Sequence, residues 1–171
     1  AEIIIGGQQI DKHYSEWFDV WNELTDPHTH LWKLVGKRDT TFKINQTLPS
    51  KYCIPFQFWF NRNPGLAIPL IALQYHNVEL KVKIRRAESL ITTDSTDFTV
   101  SGSITTLKVY ADYIFLDNDE RRKYAESKHE YLIEQLQYAG TSTVTNGNNQ
   151  VKISFNHPVK EIIWFIRDTN R

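Results

Sequence analysis

The sequence predicts a mainly β protein, a β-sandwich or jelly roll with one or two short helices. Three observations carry that expectation. Aromatic residues make up 13% of the 171 residues, with 9 Phe, 8 Tyr and 5 Trp, and such side chains favour strands and broad buried contacts. Val78, Leu80, Val82 and Ile84 alternate with Glu79, Lys81, Lys83 and Arg85, the period of a half-buried strand. Helical spacing is confined to short stretches, while turn-forming residues recur between apolar runs.

Taken in order, Glu2-Ile-Ile-Ile5 reads as a strand ending at Gly6-Gly7. The period then changes. Tyr14, Trp17, Phe18, Trp21 and Leu24 lie on one face of an amphipathic helix of about four turns, with Asp11 as its expected cap. Thr25-Asp26-Pro27 ends it. Residues 26–50 are polar, contain Pro27, Gly36 and Pro49, and read mostly as loop. Tyr52, Ile54, Phe56, Phe58 and Phe60 then alternate as a strand, irregular or at an edge because Pro55 cannot donate to a ladder. Asn61-Arg-Asn-Pro-Gly65 is a strong turn.

Ile68 to His76 reads as an apolar strand disturbed at Pro69, and the alternating strand 78–85 follows. Residues 92–103 are Thr-, Ser- and Asp-rich and read as loop. Leu107, Val109, Ala111, Tyr113 and Phe115 form another expected strand. Asp117-Asn-Asp-Glu120 opens a polar helix to about Glu126, and His129–Tyr138 reads as its continuation or a further turn. Residues 139–150 have linker composition, and strands resume at Val151–Phe155 and Val159–Ile166. The chain stops soon after this last run with no return partner, so it reads as an excerpt cut at both ends.

Composition narrows the function. Twenty basic residues balance twenty acidic ones, so no global field draws the chain to nucleic acid, and self-repulsion is small. No apolar run approaches a membrane span of about 18 residues. A single cysteine, Cys53, permits no internal disulfide and reads as a small buried hydrophobe within a strand.

The search for chemistry yields little. His28-Thr-His30 has the spacing that opens a cupin metal motif, but Leu31–Gly36 supplies no glutamate, and a metal needs three or four ligands. His129 and His157 sit beside no nucleophile. Lys81, Lys83, Arg85 and Arg86 read as a solvated or intersubunit face, and Arg121-Arg-Lys123 is offset by Asp119-Glu120. No phosphate-binding glycine pattern occurs. The expectation is therefore no enzyme, no catalytic residue, no cofactor and no metal. Asn45-Gln-Thr47 is a glycosylation triplet, which leaves Asn45 as the one candidate modification site, of a type that often arises by chance.

Several strings are more specific than composition. They are Gly7-Gln-Gln-Ile-Asp-Lys-His-Tyr14, Trp21-Asn-Glu-Leu24, Phe58-Trp-Phe-Asn-Arg-Asn-Pro-Gly-Leu66, Pro69-Leu-Ile-Ala-Leu-Gln-Tyr-His76, Asp112-Tyr-Ile-Phe-Leu-Asp-Asn-Asp-Glu-Arg-Arg122, His129-Glu-Tyr-Leu-Ile-Glu-Gln-Leu-Gln137 and Phe155-Asn-His-Pro-Val-Lys-Glu161. In this order the chain resembles the major capsid protein of nucleocytoplasmic large DNA viruses, the group that holds the phycodnaviruses and iridoviruses. The resemblance runs from about Ile3 to Ile166.

It implies a fragment of a double jelly roll. Residues 1–126 would be the later part of the first roll, 127–150 the inter-roll connection and 151–171 the opening strands of the second. It also implies a homotrimer of pseudo-hexagonal outline that tiles an icosahedral shell. Neighbouring capsomers, minor capsid proteins and the internal viral membrane would be its partners, with no direct nucleic-acid contact. The expected location is the virion, assembled in the host cytoplasm. Two other functions fit a jelly roll: a carbohydrate-binding module using exposed Trp and Tyr, and a cupin-type metalloenzyme, which the missing glutamate disfavours.

A partial jelly roll leaves sheet edges unpaired and apolar faces uncovered, which favours aggregation. The chain expressed alone is therefore expected to be insoluble or partly unfolded. Size-exclusion chromatography and thermal melting check this: a monodisperse, cooperatively melting 20.1 kDa monomer would contradict it.

Overall fold

The computed structural model describes residues 1–25, 51–86, 104 and 106–167. Those residues fall into two units, Ala1–Gln135 and Leu136–Arg171.

The first unit is organised by a three-stranded antiparallel sheet of order β2-β1-β3, with β1 at Glu2–Ile5, β2 at Gln8–Lys12 and β3 at Val78–Lys81. β1 and β2 form a tight hairpin through Gly6 and Gly7, both at positive φ (59° and 80°). Two consecutive left-handed residues give a turn whose twist matches its strands, and glycine reaches that region without a Cβ penalty. The pairing Ile3↔Asp11 followed by Ile4↔Gln9 leaves Ile10 as an extra residue, a β-bulge in β2. β3 joins from far along the chain, and Gly6 N–H donates to the Asn77 carbonyl at 2.9 Å beside that pairing.

Helix α1 spans Ser15–Thr25, and the expected stop at Asp26-Pro27 lies outside the described residues. Its start differs from expectation. Asp11 does not cap it; this carboxylate lies buried in β2, where Oδ1 accepts the Lys12 N–H at 2.8 Å and Oδ2 meets His13 Nε2 at 3.0 Å. The hairpin claims residues 8–12 before the helix can begin.

The expected strand 52–60 is absent. Residues 51–57 make no ladder, and Trp59–Arg62 turn into a short helix, α2. Pro55 removes a ladder donor, and the Asn-Arg-Asn-Pro turn chemistry reaches back to Trp59. Asn63 Oδ1 then accepts the Gly65 N–H at 2.9 Å and caps a 3-10 turn over Pro64–Leu66. Cys53 is consequently exposed rather than buried. Ile68–His76 also forms no strand: Ala72 and Leu73 N–H groups donate to the Pro69 carbonyl at 3.0 and 3.2 Å, and His76 N–H to Leu73 at 2.9 Å. Local turns take up these donors in place of a ladder.

β3 keeps the expected alternation, with Val78 and Leu80 half-buried and Glu79 and Lys81 exposed, but the ladder stops at Lys81 rather than Arg85. Helix α3, Asn118–Glu126, matches its sequence signal closely. Asp117 Oδ1 accepts the Glu120 N–H at 2.8 Å while the Glu120 carboxylate reaches back to the Asp117 N–H, a reciprocal capping box. The helix ends at Ser127, so His129–Gln135 neither continues it nor turns again.

Residues 107–115 in this unit, and 151–155 and 159–166 in the second, have strand periodicity but no ladder. Alternation fixes which faces a segment would present, yet a strand exists only when another backbone takes its N–H and C=O groups. The second unit is held instead by side-chain amides. Gln137 Oε1 accepts the Asn156 N–H at 2.9 Å, and its Nε2 donates to the Asn156 carbonyl at 3.0 Å. Asn149 Nδ2 donates to the Thr145 and Gly147 carbonyls at 2.7 and 3.0 Å. Residues 26–50, 87–103 and 168–171, which include the expected loops, the His28/His30 pair and Asn45, lie outside the described residues.

The core of the first unit is Ile3, Phe58 and Trp59, bordered by Ile5, Ile10, Val78, Leu80 and Ile133. Phe58 is fully buried, so Phe58→Ala in the full-length protein should cost about 3–5 kcal/mol of stability, read from denaturant unfolding. Gly6 and Gly7 offer a paired test. Each →Ala change should cost about 1–2 kcal/mol for its left-handed backbone. Gly6→Ala should cost visibly more, because its Cβ would sit 2.9 Å from the His76 Nδ1 while Gly7 faces open space.

Glu16 pairs with Arg85, and that hydrogen bond, then one from its own backbone, holds the Glu16 carboxyl below the usual carboxylate range. A lowered folded-state value means stability that is present above the unfolded value and lost as pH falls through the folded one. Arg85→Gln should therefore lower the melting temperature slightly at neutral pH and leave it unchanged at acid pH where Glu16 is protonated.

Candidate functional site

Two features of the first unit combine burial with chemistry. The first is an aromatic junction. His13 closes β2 into α1, and its backbone N–H donates to the Ala1 carbonyl at 2.8 Å. Its ring stacks on Phe58 with centroids 4.3 Å apart and meets Phe18 edge-on at 6.0 Å. Phe56 and Phe60 lie 5.9 and 5.6 Å from Phe58. Arg62 extends the junction outward: its guanidinium lies 4.9 Å over the Trp21 ring and pairs with Glu134 at 3.0 Å. One side chain thus ties α1, α2 and the segment after α3.

Inside the junction, Asp11 and His13 are buried, at 3% and 2% exposure. A carboxylate beside an imidazole is half of a catalytic triad, but among the described residues no hydroxyl or thiol bonds to His13, whose Nδ1 is buried without a hydrogen-bond partner. Among the described residues, no three His, Cys, Asp or Glu side chains gather in a way that could hold a metal. The pair's geometry supports packing: it orients His13 flat against Phe58.

The second feature is an open groove of about 690 Å³, walled by Ile10, Leu66, Ile68, Leu73, Tyr131 and Ile133. Its polar fringe includes His76 and His129. His129 Nε2 lies 2.6 Å from the Tyr124 carbonyl, and burial pushes the Tyr131 phenol up.

Beyond these, the surface carries large apolar side chains. Along 107–115, Leu107, Val109, Tyr113 and Phe115 are 63%, 60%, 66% and 92% exposed. In the second unit, Trp164 and Ile166 are 78% and 70% exposed. Monomeric proteins seldom leave such runs open to water.

Lys81, Lys83, Arg85 and Arg86 are exposed, as the strand pattern predicts, with Lys81 and Arg85 near Glu79 and Glu16. Sequence reading missed the Asp11–His13 pair because it assigned Asp11 to a helix cap. The Asp-Lys-His alternation, three residues past the Gly-Gly turn, is the signal that places both side chains on one face at the end of β2.

Comparison with known proteins extends this picture. Residues 1–117 match the family model "Major capsid protein N-terminus", and residues 120–171 match "Large eukaryotic DNA virus major capsid protein". The major capsid protein of Pyramimonas orientalis virus is 48% identical, with 96% of this chain and 41% of that protein covered. That of Paramecium bursaria Chlorella virus 1 is 37% identical, with 96% and 39% covered. A solved chain, PBCV-1 VP54 fitted into a cryo-EM reconstruction of the virophage Sputnik, is 35% identical over 80% of this chain and 33% of its own, with a TM-score of 0.49. The chain spans about two fifths of the length of these curated relatives. With both family models together running along nearly its whole length, the chain belongs to the major capsid protein family of large eukaryotic DNA viruses.

Proposed function

We propose that this chain is part of a structural subunit of an icosahedral viral capsid, one that self-assembles into pseudo-hexagonal trimers tiling the shell. Family membership supports the reading, and so do the relatives named major capsid protein. The observation that carries it is the uncovered apolar run at 107–115, with Phe115 at 92% exposure. Side chains of this size at period two are suited to a sheet face that other strands or other copies cover.

A shell subunit works by rigid packing and complementary contacts, and it needs no reacting group. The aromatic junction supplies rigidity, and the balanced charge of twenty basic and twenty acidic residues lets copies approach without net repulsion. In this reading residues 1–126 contribute the later part of a first jelly roll, 127–150 the connection and 151–171 the opening strands of a second. The subunit acts in the virion after assembly in the host cytoplasm, against neighbouring capsomers, minor capsid proteins and the internal membrane. Asn45 is the proposed glycosylation position.

The full-length protein should form trimers in light scattering coupled to size-exclusion chromatography, and a monomer at high concentration would overturn the proposal. Phe115→Asp places a charge on the run to be covered and should abolish soluble trimer. Glu130→Ala, a change at an exposed polar position, should leave the trimer yield intact.

A further inference from the structure

The second unit carries a dipeptide whose own backbone supplies a nucleophile. Asn146-Gly147 is the sole Asn-Gly step in the sequence, and residues 139–150 around it are exposed throughout. The chain bends at Asn146 and Gly147, and Gly147 takes a positive φ of 114°. Apart from its two chain neighbours, nothing lies within 4 Å of the place where a Cβ on Gly147 would sit. Among the described residues, neither the Asn146 side chain nor the Gly147 N–H makes a hydrogen bond.

Other asparagines are held, or followed by a residue that cannot attack. Asn149 Nδ2 donates to the Thr145 and Gly147 carbonyls at 2.7 and 3.0 Å, and its Oδ1 accepts the Thr145 N–H at 3.0 Å. Both ends of that carboxamide are committed to closing the loop in which Asn146 lies. Asn156 precedes His157, and its backbone is clasped by Gln137. Asn63 precedes Pro64, whose nitrogen has no hydrogen to lose.

We propose that Asn146 is a self-modification site, at which the chain deamidates without an enzyme. Gly147 N loses its proton to solvent base and attacks Asn146 Cγ. The N–Cγ bond forms, the Cγ–Nδ2 bond breaks, and Nδ2 takes up a proton and leaves as ammonia. The product is a five-membered succinimide. Water then adds to one of its two carbonyls. Opening at Cγ gives aspartate, and opening at the backbone carbonyl gives isoaspartate. Nothing is oxidised or reduced, and water is the only co-reactant. The attack is intramolecular, glycine brings no Cβ to crowd its nitrogen, and exposure admits base and water.

Either product adds a carboxylate to a chain whose twenty basic residues otherwise balance twenty acidic ones. Isoaspartate also lengthens the backbone by a methylene between the two carbonyls that Asn149 joins. The Asn149 clasp then no longer fits, so conversion loosens the loop that it holds.

Peptide mapping by mass spectrometry on the full-length protein, aged in mildly alkaline buffer, tests this. The peptide holding Asn146 should gain the mass of NH exchanged for O, and isoaspartyl methyltransferase should label it. Conversion should run within about tenfold of that in a free peptide of residues 141–151, because an exposed loop opens at little cost. Asn149 should stay intact over the same period. Asn146→Gln, an exposed change that only enlarges the ring to be closed, should abolish the label in this segment. Conversion of Asn146 more than about tenfold slower than in the free peptide overturns the proposal. So does comparable conversion of Asn149, or an Asn146→Gln protein still labelled there.

Discussion

The first unit depends on how the chain buries Phe58. That ring is inaccessible to solvent, and the residues of its cluster come from all three strands, the 56–68 segment and Ile133. β1 supplies Ile3, the junction of β2 and α1 supplies His13, and α1 supplies Phe18 within the same aromatic cluster. Non-directional burial alone would tolerate many arrangements. The Asp11–His13 contact removes that freedom, because an imidazole held by a buried carboxylate can present its flat face in few ways. The small sheet and the helix after it are therefore positioned by one stacked pair.

The second constraint is backbone hydrogen bonding. β1 has both edges satisfied, by β2 and β3, and it contributes two of the buried core residues, Ile3 and Ile4. Segments with comparable alternation elsewhere, such as 107–115, have no ladder and keep their apolar side chains in water. The contrast does not come from intrinsic preference, since Val, Tyr and Phe are good strand formers. It comes from partners. Every unpaired strand-like run is a demand for another backbone.

Local signals were legible where the structure is local. The strand end at Gly6-Gly7 and the helix that opens at Asp117–Glu120 each involve residues within a few positions, and each forms as its sequence predicts. Periodicity failed where it needed a distant partner or met a proline. Phe56 and Phe58 retain neighbouring rings, but Pro55 and the turn at Asn61–Gly65 divert the backbone into α2. The Asp11–His13 pair was hidden for a different reason. Asp before an amphipathic helix is a good cap signal, and it takes the hairpin pairing of β1 with β2 to put that carboxylate in a core. The capsid identity was legible only as long ordered strings, because a packing surface has no catalytic spacing to find.

A bulge usually ends or re-aims a strand. Here the extra residue, Ile10, separates two functions of β2. Beyond it, Asp11 turns inward to hold His13 against Phe58; at it, the freed carbonyl turns to the Gln135 amide. A regular strand could not do both, since the one-residue shift is what moves Asp11 into register with Ile3 rather than with its neighbour. The same irregularity that completes the aromatic junction therefore also marks where the segment after α3 attaches. The packing of the core and the attachment of the segment after α3 therefore meet at a single residue.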